Sequence, residues 1–377
     1  MSQLFSPLSI RGVTLRNRTM VAPMCQYSAQ HGFANDWHFV HLGRFAMGGF
    51  GIVMLEATAV SPEGRISYGD LGIWDDAQIA PLARIAAFLK EQGASPAIQI
   101  AHAGRKAATP IAWRGKFNET EDEKARYAFE SWKPVAPSPQ AHSANPDFQT
   151  PAELDAAGIR KVIDDFTAAF IRADKAGFEI AEIHGAHGYL LNQFLSPLAN
   201  TRTDQYGGSR ANRMRLLLEI SEAARSVWPA DKPLFVRLSV TDGSAGGWSV
   251  EDSVVLATEL KARGVDVVDC SSGGFDGYAL KPAALYQVPL AAAVKKTGIL
   301  TAAVGLISDA VAAEEVLQQG EADIIALARG ALDDPNWPVH AQHVLDRSEA
   351  AYGLWPRQAA ARMRDRDRAL EIRAFAK

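Results

Sequence analysis

An alternation repeated eight times constrains this chain more than any other feature. Short apolar runs fall at residues 19–23, 50–55, 96–101, 178–183, 233–240, 266–271, 299–303 and 323–328. Helical patterns separate them, clearest at 36–48, 76–92, 155–176, 209–228 and 250–263. Gly93 and Gly177 stand just past two of these patterns, where glycine commonly ends a helix. The run at 50–55 is near-continuously apolar, as a parallel strand covered on both faces is. Eight strand–helix alternations in 377 residues predict an α/β chain closed into a (β/α)8 TIM barrel rather than an open sheet.

A chain of this length buries a large core without covalent staples. Its net charge of −4 argues against a dedicated nucleic-acid surface. Cys25 and Cys270 are too few for a disulfide framework, which suits a reducing cytoplasm. Residues 1–7 lack the basic stretch and apolar core of a signal peptide. No apolar run reaches the length of a membrane span, so no membrane partner is expected.

One connection breaks the rhythm. Residues 102–150 show little periodicity and are rich in Pro, Trp and charge, including the run 119–124. A loop this long inside a domain is usually functional. Leaving the C-terminal end of the third strand, it is expected to cap the active site. The barrel is placed at 1–345 and a C-terminal extension at 346–377. The extension carries Trp355 and the basic side chains Arg357, Arg362, Arg364, Arg366, Arg368, Arg373 and Lys377. Trp and Arg are favoured interface anchors, so a homodimer or dimer-based tetramer is expected. Composition alone fits a solvated helix or frayed tail as well.

Candidate chemistry gathers at strand ends. His184, His187 and Tyr189 follow the fourth run, where two imidazoles and a phenol can grip a polarised oxygen or supply a proton. The same two histidines could instead hold a metal, as in metal-dependent barrel hydrolases. Tyr189 could simply pack with its hydroxyl satisfied. Gly305 follows the seventh run, Ala328 ends the eighth and Arg329 follows it, where barrels commonly bind a phosphate. Arg237 lies inside the apolar fifth run and needs an anion there. Gln99, inside the third, offers an amide donor and acceptor. Cys25 alone reads as a plain buried thiol.

Two stretches carry a family resemblance. HGAHGYLLNQFLSP…NTRTDQYGGS, over residues 184–209, resembles the signature of the Old Yellow Enzyme family of flavin-dependent ene-reductases. Pro23-Met24-Cys25-Gln26-Tyr27 resembles the thermophilic-like branch, which includes the xenobiotic reductases. The resemblance runs to about Trp337. It implies FMN as cofactor and NADPH, or less readily NADH, as reductant of an activated alkene such as an enone, maleimide or nitroalkene. It implies that Ala22, Pro23, Met24, Cys25, Ala57, Gln99, Arg237, Gly305, Ala328 and Arg329 hold the FMN. His184 and His187 would bind the substrate's oxygen, with Tyr27 lining the pocket, while hydride passes from flavin N5 to the β-carbon. Tyr189 would protonate the α-carbon, and Lys106 would help bind the coenzyme or shape the pocket. In that branch C-terminal residues reach a neighbouring subunit's site, yet residues 354–358 match that tail only in part. Related dienoyl-CoA reductases add an iron–sulfur segment, for which this chain lacks the cysteines. A flavin-binding protein without turnover is the other alternative.

Overall fold

The computed structural model describes residues 2–111, 113, 132–346 and 348–370. The charged run at 119–124, Arg373 and Lys377 lie outside them.

The chain opens with an antiparallel hairpin, β1 (Leu8–Ile10) and β2 (Val13–Leu15), which periodicity did not reveal because each strand is three residues long. Ile10 and Leu15 pack with Ile52, Ile180, Phe235 and Val267, so the hairpin plugs the N-terminal mouth of the barrel. The barrel strands begin with β3 (Thr19–Val21), β4 (Ile52–Ala59) and β5 (Ser95–Ala101). A two-residue pair, β6 (Val135–Ala136) and β7 (Ala152–Glu153), lies in the long connection. Then come β8 (Ile180–Gly185), β9 (Leu234–Ser239), β10 (Val267–Ser271), β11 (Leu300–Ala303) and β12 (Ile324–Leu327). Every barrel pairing is parallel, and β12 closes on β3. The eight predicted strands are the eight of the closed barrel. A register shift between Leu55 and Ala57 marks a bulge in β4 that the sequence pattern did not disclose.

The principal helices start where their caps dictate. In α1 (Asp36–Met47) Asn35 accepts from the first turn, and in α2 (Ile79–Glu91) a preceding turn leads in. Asp155 caps α3 (Ala156–Lys175), which is followed by the short α4 (Leu190–Leu195). Ser209 caps α5 (Arg210–Val227) and Ser249 caps α6 (Val250–Ala262). Such side-chain oxygens satisfy first-turn N–H groups that have no helical partner. The set continues with α7 (Val288–Lys295), α8 (Ala310–Gln318), α9 (Arg329–Asp333) and α10 (Trp337–Leu345).

Two apolar layers result. One fills the barrel interior; the other lies between strands and helices and includes Phe45, Phe166, Phe170 and Trp228. Truncating a buried aromatic such as Phe166 costs about 3–5 kcal/mol.

The extension is ordered over its described residues. A 3-10 turn, Glu349–Leu354, leads into α11 (Arg357–Ala369). Tyr352 is buried and donates its hydroxyl to fully buried Asp367 at 2.7 Å. Trp355 is half-buried, donating to Nε2 of His343 on α10 at 3.1 Å. Up to Leu370 the tail therefore docks on its own barrel and is not frayed.

Candidate active site

The C-terminal mouth is assembled from strand ends. His184 sits at the end of β8, directly across from Arg237 on β9. The chain then turns through two left-handed residues, His187 at φ 61° and Gly188 at φ 72°. A Cβ on Gly188 would lie 2.1 Å from the Gly274 carbonyl oxygen, so only glycine lets the loops after β8 and β10 touch. The turn folds His187 and Tyr189 back onto His184. The His184 ring centroid is 5.3 Å from that of His187 and 5.1 Å from that of Tyr189, both edge-on.

Hydrogen bonds fix these rings. The Ala186 N–H donates to His184 Nδ1 at 3.3 Å, which leaves the imidazole proton to Nε2. His187 Nε2 lies 2.7 Å from Ser271 Oγ, and its backbone N–H donates to Ser239 Oγ at 2.9 Å. Lys106 Nζ donates to the His187 carbonyl at 3.0 Å and lies 4.7 Å from the Tyr189 ring centroid. Burial first, then the charges of Arg237 and Lys106, holds both imidazoles well below the usual histidine range. Burial likewise pushes the Tyr189 phenol up. All three are neutral at neutral pH, so Tyr189 O–H and His184 Nε2–H are donors without charge. Lys106 is drawn down to about 8 by burial, then by Arg105.

Opposite lies the loop after β3. Ala22 is buried, while Pro23, Met24, Cys25 and Tyr27 are half-buried. Glu56, at the bulge of β4, accepts the Gln26 N–H at 2.8 Å and so pins this loop. Burial, then Asp70 and Glu56, pushes the Cys25 thiol well up, so it stays protonated. Ala57 pairs across to Gln99 on β5. Asp70 shares a small pocket with Ala57, His184 and Tyr189, and burial drives its carboxyl up to about 7.

A cavity of about 430 Å³ opens beside these groups, with Arg237, Gly305, Ala328 and Arg329 in its wall. Gly305 has φ 136°, a glycine conformation that turns the chain after β11. Arg329 is exposed and starts α9, the short extra helix after the eighth strand. Arg237 is nearly buried, 3.1 Å from Asp269, and its Nε makes no hydrogen bond to any described residue. These residues fit a phosphorylated, flat heterocycle: a phosphate-type loop pair at one end and a buried cation with unspent hydrogen-bonding capacity at the other.

Of the ten residues expected to hold phosphate and ring, four, Arg237, Gly305, Ala328 and Arg329, share one cavity wall. His184, Tyr189 and Ala57 line the neighbouring pocket, and Ala22 and Met24 a third, beside Glu56. Gln99 differs from the simple expectation: its amide nitrogen donates to Glu182 at 2.8 Å. Sequence reasoning missed Ser271, Gln287, Asp70, Glu182 and Asp269. Ser271 ends a predicted strand, a signal that could have found it. Gln287 receives Ser272 Oγ at 2.5 Å and donates to the Val304 carbonyl at 3.2 Å, but lies in a stretch without periodicity.

Barrels that hold a phosphorylated cofactor place its phosphate at the loops after strands seven and eight, and the cavity lies there; fold and site define a barrel enzyme built around such a cofactor. Residues 3–348 match the NADH:flavin oxidoreductase / NADH oxidase family, and the chain belongs to it. It is an FMN-dependent oxidoreductase of the Old Yellow Enzyme type, with NAD(P)H as reductant. Similar curated proteins include the NADPH dehydrogenase of Geobacillus sp. (strain WCH70), 43% identical over 353 residues, 93% of this chain and 96% of that one. The NADPH dehydrogenase of Bacillus licheniformis is 44% identical over 347 residues, 91% and 95% of the two chains. Among solved structures, morphinone reductase superposes with a TM-score of 0.74 at 26% identity, covering 90% of this chain and 89% of that one. A 2-naphthoyl-CoA reductase gives 0.80 at 26% identity over 91% of this chain, which spans about half, 52%, of that longer protein. This membership, rather than the geometry of His184 and His187, sets aside the metal-hydrolase alternative. No described helix is long and apolar enough to cross a membrane.

Proposed function

We propose that this protein is an NADPH-dependent ene-reductase. The observation that carries the reading is the neutral donor cluster of His184, His187 and Tyr189 at the end of β8, directly across from buried Arg237. Gly305, Ala328 and Arg329 would hold the FMN phosphate; Ala22 to Cys25, Ala57, Gln99 and Arg237 would hold the ring. When bound, FMN supplies hydride to the β-carbon of an activated alkene. His184 and His187 fix the substrate's carbonyl or nitro oxygen, offering hydrogen bonds that strengthen as negative charge builds on it. Tyr189 gives its proton to the α-carbon, and Tyr27 shapes the pocket. Lys106, tied to His187 and lying over the Tyr189 ring, keeps these groups in register. The described residues of the 102–150 connection would cap the mouth; residues 112 and 114–131 of that expected cap lie outside them. NADPH is preferred as reductant, in keeping with the names of the curated relatives.

The same reading takes residues 1–345 as the catalytic barrel and 346–377 as an extension at a subunit interface. Trp37, Val40 and Met47 leave an exposed apolar stripe on α1 that a second copy would cover. The assembly is a homodimer or dimer-based tetramer. Both cysteines are free, consistent with a cytoplasmic home.

The test is anaerobic. NADPH should bleach the yellow protein, and a panel of enones, maleimides and nitroalkenes should restore the colour with loss of the C=C bond. A protein that NADPH bleaches but no alkene reoxidises is not an ene-reductase. One that NADPH cannot bleach binds flavin without turnover.

A further inference from the structure

The barrel interior is built in layers. Toward the N-terminal mouth it is apolar, with Ile52, Ile180, Phe235, Val267 and Ile324 filling the section. Nearer the site the composition changes. Gln99, Glu182, Arg237 and Asp269 stand on four consecutive strands, β5, β8, β9 and β10, and none is more than 6% exposed. Gln99 pairs with Glu182, and Arg237 with Asp269. The Gln99 amide donates to Glu182 Oε1 at 2.8 Å, and Arg237 Nε lies 3.1 Å from Asp269 Oδ2. Glu182 Oε2 and both Asp269 oxygens accept no hydrogen bond from any described residue. From the other four strands the interior receives Met20, Met54, Ala302 and Ala326, none ionisable. His184 lies two residues above Glu182 on β8 and is neutral. The charges that act on Glu182 are therefore Asp269 and Arg237.

Two carboxylates and one guanidinium, all ionised, would leave an unmatched negative charge sealed from water. An interior of this kind answers by taking up a proton. One proton removes the excess charge and supplies an O–H donor for an oxygen that otherwise has none. We propose that Glu182 and Asp269 share a single proton, and that this buried acid sets the charge that the floor of the site presents through Arg237. With the proton held, one carboxylate balances Arg237; with it lost, negative charge prevails beneath the ligand. The second half rests on FMN lying over Arg237, as proposed above. The titration behaviour agrees: burial, then the charge of Asp269, pushes Glu182 up to about 8 against the pull of Arg237 and Gln99. Burial also raises Asp269, with Arg237 opposing. The proton belongs to the pair rather than to either residue.

Infrared difference spectra of the full-length holoprotein between about pH 6 and about pH 10, either side of that range, read the proton directly. A carboxylic-acid C=O band should be lost on raising the pH. Asp70 contributes a second band, so the shared proton is the component missing from both Glu182→Gln and Asp269→Asn. FMN affinity, read by flavin fluorescence, should weaken above pH 8 in the wild type, approaching about tenfold per pH unit; in Glu182→Gln it should be flat. An acid band identical in wild type and both variants overturns the shared proton. Should a variant fail to fold, Asp70→Asn isolates the remaining band, and its absence overturns the proposal equally. An equal pH slope of FMN affinity in wild type and Glu182→Gln overturns the link to Arg237. If FMN binds at no pH while the band is present, the flavin reading fails and the shared proton stands.

Discussion

At the scale of single residues, the active-site groups are distinguished by neutrality. The Tyr189 phenol, the Cys25 thiol and both imidazoles are all held uncharged by burial. An uncharged donor loses little when a neutral substrate arrives and gains when that substrate becomes negative. Tyr189→Phe should therefore leave NADPH bleaching intact and slow enone-driven reoxidation by roughly 10²-fold or more. Stopped-flow absorbance separates the two half-reactions; an unchanged reoxidation rate would assign the proton to another group. Ser271 acts one bond further out, through His187 Nε2 at 2.7 Å. Ser271→Ala removes this bond together with a longer one to Gln287 Oε1 at 3.4 Å; the His187 bond, worth about 0.5–1.5 kcal/mol, is the one that bears on substrate, so KM for the alkene should rise by roughly 2–10-fold with kcat little changed.

At the scale of elements, the site depends on loops that touch. The loops after β8 and β10 meet at Gly188 and Gly274, where each would drive an added Cβ to within 2.2 Å of the other's backbone. Gly188→Ala combines that clash with φ 72°. The left-handed strain alone costs about 1–3 kcal/mol, and His187 and Tyr189 on either side move with the turn. Thermal melting should show the stability loss, and the substituted protein should lose alkene turnover more than it loses FMN. A cap makes the control: Ser249→Ala at the start of α6 should cost about 1 kcal/mol of stability and leave turnover alone. Equal losses of turnover in both variants would mean the Gly188 turn has no special link to the chemistry.

At the scale of the whole molecule, buried titratable groups give stability a two-sided pH dependence. His41, His102 and His142 are lowered to about 4 by burial, and burial also holds His184 and His187 well below the usual histidine range. The unfolded chain protonates these near pH 6.5 and the folded chain does not, so stability falls as pH drops from about 6.5 to 4. Asp70 and Glu182 act oppositely. Raised to about 7 and about 8, they keep protons that the unfolded chain releases near pH 4. Stability is lost as pH climbs through that interval. Where the two windows overlap the five histidines outweigh the two acids, so a Tm profile should rise to about pH 6.5 and fall from there to about 8, and Glu182→Gln should flatten the alkaline limb. Assembly belongs to this scale as well. Removing residues 357–377 should weaken self-association and alter enone affinity while FMN stays bound. Unchanged mass by light scattering, with unchanged kinetics, would reduce the tail to a brace for α10.

The fold was legible because a barrel strand buried on both faces is mostly apolar along its length, and eight such runs alternating with helices close in few ways. The strand-end positions of His184, Tyr189, Gly305 and Arg329 followed from the same pattern. Local signals could not show what depends on distance in space rather than along the chain. The β4 bulge that aims Glu56 at the Gln26 N–H, the docking of Trp355 on His343 and the Ser271–His187 contact span 30, 12 and 84 residues. Glu182, Arg237 and Asp269 lie far apart in sequence, in three separate runs that are otherwise mostly apolar. Closure of the barrel puts them in one sealed layer, and only there does burial make their charges interdependent.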